Sequence, residues 1–72
     1  MLNARETEII LDNFFRDCFN FWVGQGCDER KSFENALADV RNLKHDPYEP
    51  CGKELDTKTK AEFIRYKEMD LG

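Results

Sequence analysis

The sequence predicts an all-α fold, a small three-helix domain made of an antiparallel helical hairpin and a third helix after a Pro-rich connector. Three observations support this prediction. Apolar residues recur at the i, i+3, i+4 spacing of amphipathic helices in three separate segments. Gly24 and Gly26 end the first segment, and Pro47 and Pro50 follow the second. We expect helices over about residues 4–23, 29–44 and 57–70.

The first predicted helix contains the most apolar part of the chain, residues 9–23, with four of the six Phe residues and the only Trp. Asn3 is a suitable N-cap, and Glu6 completes a capping box. The apolar arc is wider than the ~100° stripe of an ordinary surface helix. We therefore expect this helix to be covered on two sides, by its own chain or by a second copy. Its central stripe is Leu11, Phe14, Phe15, Cys18 and Trp22.

The second predicted helix is antiparallel to the first, because the glycine turn between them is short. Asp28 is a suitable N-cap for it. The helix should stop near residue 44 or 45, since Pro47 pushes the residue before it toward extended backbone. Its apolar positions are Phe33, Ala36, Leu37, Val40 and Leu43.

The connector, residues 46–52, contains both prolines and one large side chain, Tyr48. We expect the Tyr48 ring to pack against the hairpin, with its hydroxyl facing water or a polar partner. The alternative is an exposed Tyr48 that anchors an interface. Asp56 or Thr57 is expected to cap the third helix. Its two weak apolar faces are Ala61, Ile64 and Leu71, and Phe63, Tyr66 and Met69.

The charge balance disfavours direct binding to DNA or RNA. Fifteen Asp and Glu outnumber eleven Lys and Arg, for a net charge of −4, and the basic residues are scattered rather than gathered in a stripe. An acidic surface suits a basic protein surface instead. No apolar run reaches the ~18 residues of a membrane span, and Met1 is not followed by a signal peptide pattern. We expect a cytoplasmic protein with no membrane association.

The chemistry-bearing residues are few. Cys18 lies in the apolar stripe and is expected to be a small buried hydrophobe. Cys27, His45 and Cys51 offer three ligands at loose spacing, whereas a structural zinc site takes four, usually with close pairs. His45-Asp46 is the only pair of neighbouring His and acid, and no third group orients it. We expect no metal, no cofactor and no enzymatic activity.

Short motifs are spread over most of the chain. They are Phe19-x-x-Trp22, Asp39-Val40, Asp46-Pro47-Tyr48 with Pro50 and Gly52, Leu55, Thr59-Lys60, Phe63-Ile64-x-Tyr66 and the terminal Met69-Asp70-Leu71-Gly72. In these motifs the chain resembles short accessory proteins in prophages of Gram-positive bacteria. The resemblance implies a genomic setting, with the host cell cytoplasm as the location, and it supplies no site residues.

These observations favour a non-enzymatic protein–protein interaction module. In a prophage setting it would inhibit a host defence or housekeeping protein, as anti-CRISPR proteins do, by analogy alone. It would act by occupying a site, with acidic side chains meeting basic ones. The candidate contact residues are Phe14, Phe19, Phe21, Trp22 and Tyr48 among the aromatics, and Asp12, Asp17, Glu34 and Asp39 among the acids.

Self-association and two other functions are also consistent with the sequence. We expect a homodimer through the flank of the first helix that bears Ile10, Phe14 and Phe21, or through the opposite flank at Phe19. One alternative function is a nucleotide-binding sponge, in which a dimer interface lined by Phe19, Trp22 and Tyr48 stacks on a base and Arg16 or Lys31 contacts phosphate. That function would need several converging Arg or Lys residues, which the sequence does not show. The other alternative is a phage assembly accessory protein.

Overall fold

The computed structural model describes residues 1–71 and contains three α-helices, which confirms the all-α prediction. Helix α1 spans Ala4–Gly24, α2 spans Glu29–Asn42 and α3 spans Thr57–Leu71. Helix α1 packs against both other helices, and α2 also contacts α3. No helix within residues 1–71 is long and apolar enough to cross a lipid bilayer.

Local capping explains where the first two helices begin. The Asn3 side chain accepts the backbone N–H of Glu6 at 2.8 Å, and the Glu6 carboxylate accepts the backbone N–H of Asn3 at 3.3 Å. This is the predicted capping box. Asp28 accepts the backbone N–H of Lys31 at 2.7 Å and caps α2 in the same way. Between the helices, Gly26 has φ 94°, a conformation that side-chain-bearing residues rarely adopt.

Helix α2 ends at Asn42 rather than at the expected residue 44 or 45. Leu43 is already extended, with φ −76° and ψ 125°. The following backbone pairs with the far end of the connector instead. The Leu55 N–H donates to Lys44 O at 3.1 Å, and the Asp46 N–H donates to Lys53 O at 2.9 Å. This antiparallel pairing, centred on an isolated bridge between residues 45 and 54, replaces the last predicted helical residues and closes the connector into a loop.

Lys60 of α3 donates hydrogen bonds to backbone carbonyl groups at the C-terminal end of α2. Its Nζ donates to Arg41 O at 2.8 Å and also to Leu43 O. The last carbonyls of a helix have no partner within the helix, so a cation there both donates hydrogen bonds and complements the dipole. Burial lowers the pKa of Lys60 from its ordinary value, and the nearby positive charge of Lys44 adds to this effect.

The core lies where the three helices and two extended segments meet. Phe15 packs edge-to-face against Phe33 and Phe63, with ring centroids 5.0 Å and 6.1 Å apart. The buried apolar residues of the core are Leu2, Leu11, Phe15, Ala36, Leu37, Val40, Leu55 and Phe63. Of the apolar side chains in α3, only Phe63 is buried, while Tyr66 and Met69 are exposed. The predicted apolar face of Phe63, Tyr66 and Met69 is therefore wrong for its last two members.

Candidate interaction face

A hydrogen bond joins the connector to the outer surface of α1. The Tyr48 hydroxyl donates to Asp17 Oδ2 at 2.7 Å, and the Tyr48 backbone N–H donates to the buried carboxylate of Asp46 at 2.9 Å. Burial, together with the hydrogen bond and charge of Asp17, raises the pKa of Tyr48 well above its ordinary value. The connector thus holds Tyr48 beside α1, with 50% of the residue still exposed.

A second hydrogen bond joins the end of α1 to the middle of α2. The indole N–H of Trp22 donates to Asp39 Oδ2 at 3.0 Å. The Phe21 ring lies edge-on to the Trp22 ring, with centroids 5.2 Å apart. Trp22 is half-buried, but Phe21 is 56% exposed. The two neighbouring aromatic residues therefore differ in role, since one bridges two helices and the other projects into solvent.

Cys18 lies close enough to both hydrogen-bonded carboxylates to be affected by their charges. Burial, then the charge and hydrogen bond of Asp39 and the charge of Asp17, raises the pKa of the Cys18 thiol to about 11. The thiol is protonated at neutral pH and is a poor nucleophile there. We name the surface formed by Asp17, Phe21, Trp22, Asp39 and Tyr48 the interaction face.

The other candidate residues lie elsewhere or are partly covered. Phe14 and Phe19 are half-buried and pack against the core. Asp12 is exposed on the opposite flank of α1, where it lines a crevice of about 240 Å³ between α1 and α3. Glu34 is exposed and forms an ion pair with Arg30 at 3.6 Å. The structure therefore brings together five of the nine candidates, and it does not bring Asp12 or Glu34 to that face.

Sequence reasoning missed two features of this region. Cys18 is expected to be a buried hydrophobe, whereas it is only half-buried, and the charges of Asp39 and Asp17 add to the effect of burial on its thiol pKa. Thr7 is fully buried, and its hydroxyl accepts the backbone N–H of Asp56 at 3.0 Å. The spacing of Thr7 and Leu11 on one helical face was the available signal. The partner of Thr7 lies too far along the chain for periodicity to identify it.

Cys27, His45 and Cys51 are the three residues that the sequence offers as metal ligands. In the part of the chain that the structure describes, no group of three or more His, Cys, Asp or Glu side chains is arranged to hold a metal ion. All three cysteines are free thiols, and Cys51 is exposed.

Comparison of the chain with protein-family models, with curated proteins and with solved structures finds no match in any of the three.

Proposed function

We propose that this protein is a non-enzymatic protein–protein interaction module that binds its partner through the interaction face. One observation carries the proposal. Two exposed aromatic residues, Phe21 and Tyr48, lie beside two carboxylates that aromatic donors hold in place. Aromatic residues are enriched at protein interfaces because they bury a large area with few rotatable bonds.

Preorganisation of the face supports this proposal. Asp17 and Asp39 each accept a hydrogen bond from a residue distant in the chain, Tyr48 and Trp22 respectively. Side chains that are already ordered lose less conformational entropy when a partner binds. The face can therefore convert more of its contact energy into affinity than a set of mobile surface side chains.

The proposed class of target rests on the resemblance to prophage accessory proteins. On that basis, the proposed partner is a host defence or housekeeping protein, and the chain inhibits it by covering a functional surface. Such occlusion needs contact area and complementarity and requires no reactive group. An interface of standard size buries about 800 Å² on each partner, and the chain exposes 5106 Å² in all.

The predicted homodimer through helix α1 stays a prediction. The flank that bears Phe14 and Phe21 is the same flank that bears Asp17, one helical turn from each. A symmetric contact centred there would bring the Asp17 carboxylates of two copies together, and like charges at an interface oppose binding. A different protein is therefore the better occupant of this flank. Sedimentation of the unmodified chain tests the dimer, since an 8.5 kDa species would contradict it.

Crosslinking in an extract of Gram-positive bacteria, followed by affinity capture and mass spectrometry, tests the interaction proposal. We expect Phe21→Ala to abolish capture of a specific protein, because it removes an exposed contact. Tyr66→Ala is the matched control, since Tyr66 is also exposed but lies on α3. Capture that both variants retain would contradict the proposed face. A rise in melting temperature with added nucleotides, and no captured protein, would favour the sponge instead.

A further inference from the structure

The two carboxylates of the interaction face form no ion pair with a basic residue in the described part of the chain. Among residues 1–71, the ion pairs are Arg30–Glu34 and Arg41–Glu68, and neither lies at the face. Asp17 accepts one hydrogen bond from Tyr48, and Asp39 accepts one from Trp22. A carboxylate has about four acceptor positions. Both groups therefore keep capacity for further donors, and positively charged donors would bind them most strongly.

We infer that the interaction face recognises a basic protein segment, whose Arg or Lys side chains contact Asp17 and Asp39. This inference rests on the proposed function, and it names the chemistry of the partner. Such a segment would complement the charge of the face. The face presents two negative groups, and no Arg or Lys of the described chain forms an ion pair with either of them.

The exposed aromatic rings suit the same kind of partner. A guanidinium or ammonium group is attracted to the face of an aromatic ring, and arginine stacks on such rings most often. Phe21 and Tyr48 are 56% and 50% exposed, so their rings remain accessible. Lys67 already makes such contacts, because its Nζ lies 4.7 Å from the ring centroid of Phe15 and 5.4 Å from that of Phe63. A basic side chain between a carboxylate and a ring would gain both interactions.

The Cys18 thiol reports the electrostatic field at this position. Both Asp39 and Asp17 raise its pKa, in addition to the larger effect of burial. The two carboxylates therefore act on one common point. A cation that approaches this point is attracted by both of them, and the net charge of −4 favours its approach from a distance.

Selection from a library of random displayed peptides tests the inference. We expect the peptides selected by the unmodified protein to be enriched in Arg and Lys relative to the starting library. The Asp17→Asn, Asp39→Asn double variant should lose this enrichment. Asparagine keeps an acceptor oxygen for Tyr48 and Trp22, so the variant removes charge and preserves both hydrogen bonds. Its melting temperature checks that the fold is intact.

A matched control removes the same charge on the opposite side of α1. Glu8 and Glu62 are exposed and line the crevice between α1 and α3. The Glu8→Gln, Glu62→Gln double variant should select the same basic peptides as the unmodified protein. Equal loss of enrichment in both double variants would show a response to net charge alone, and it would overturn the inference.

The affinity of the most enriched peptide gives a second measurement. Trp22 is the only Trp in the chain, so its fluorescence reports directly on the face. We expect Asp17→Asn and Asp39→Asn each to weaken binding about tenfold. Salt at about 1 M, where the Debye length is about 3 Å, should weaken binding further.

The inference and the proposed function fail in different ways. Selection of apolar peptides without basic residues, with binding lost in Phe21→Ala, would overturn the basic partner and keep the interaction face. Selection of no peptide family, combined with cellular capture that does not depend on Phe21, would overturn both. Unchanged affinity in the two Asp→Asn variants would also overturn the inference, because the carboxylates would then make no contact.

Discussion

Cys18 is the residue at which acidic side chains of α1 and α2 exert a combined electrostatic effect. Its neighbours Asp17 and Asp39 come from different helices, and Tyr48 of the connector forms a hydrogen bond with Asp17. Burial alone would raise the pKa of the thiol, and the two carboxylates raise it further. The raised pKa is thus a direct consequence of tertiary structure, and it can be measured without knowledge of any partner.

Alkylation measures this effect. At about pH 8, we expect iodoacetamide to modify Cys18 far more slowly than the exposed Cys51 in the folded protein. The thiolate is the reactive form, and a pKa of about 11 in place of 9.0 lowers its fraction about a hundredfold. The rate should increase as the pH rises toward 11, and Asp39→Asn should accelerate the reaction at Cys18 alone. Equal rates at Cys18 and Cys51 in the folded protein, as in denaturant, would contradict the expectation.

At the scale of elements, the end of α2 depends on α3. The Lys60 ammonium group hydrogen-bonds to the carbonyls of Arg41 and Leu43, so it ties the first turn of α3 to the last turn of α2. The other polar contact between these helices is the ion pair of Arg41 with Glu68, in which both side chains are half-exposed. Surface pairs of that kind contribute little to stability. Lys60 is therefore the stronger of the two polar contacts.

Replacement of Lys60 measures its contribution. We expect Lys60→Met to lower the free energy of unfolding by about 1 kcal/mol, because it leaves two carbonyls without their donor while keeping most of the apolar stem. Lys58→Met is the matched control, since Lys58 is exposed on the same helix and, among residues 1–71, forms no hydrogen bond to α2. Urea denaturation of the two variants gives the comparison. An equal effect of both substitutions would refute the capping role.

At the scale of the whole molecule, the aromatic residues of α1 divide into two groups. Phe15 is 8% exposed and contacts rings of both other helices, whereas Phe21 is 56% exposed and contacts only Trp22 among the aromatic rings of the described chain. A small domain has a small core, so the loss of one central ring affects a large share of its stability. The outward ring contributes mainly to a surface.

Alanine substitution should separate the two groups. We expect Phe15→Ala to lower the free energy of unfolding by about 3–5 kcal/mol, and Phe21→Ala by less than about 1 kcal/mol. Phe15→Leu provides a milder variant if Phe15→Ala does not fold. Urea denaturation followed by circular dichroism measures all three. A cost for Phe21→Ala as large as that for Phe15→Ala would place Phe21 in the core and remove it from the interaction face.

The elements of the fold were predictable because their signals are local. The capping box at Asn3, the cap at Asp28 and the glycine turn each depend on residues within a few positions of one another. Helical periodicity likewise compares each residue with those three and four positions away. Such patterns identify three helices and the inward side of each. They failed at the end of α2, where backbone pairing with the distant residue Leu55 overrides the local preference.

The interaction face was decided by tertiary structure. The residue types of Phe21, Trp22 and Tyr48 make them candidates for an interface. The hydrogen bonds of Tyr48 with Asp17 and of Trp22 with Asp39, however, join residues 31 and 17 positions apart. Such pairs depend on the angle at which two helices cross and on the path of a closed loop. Helical periodicity gives no information about either. For the same reason, the sequence offers Asp12 and Glu34 as candidate contact residues, but both lie outside the interaction face. Interactions between residues close in the sequence therefore determine the three helices of this protein. Long-range packing determines which side chains share a surface.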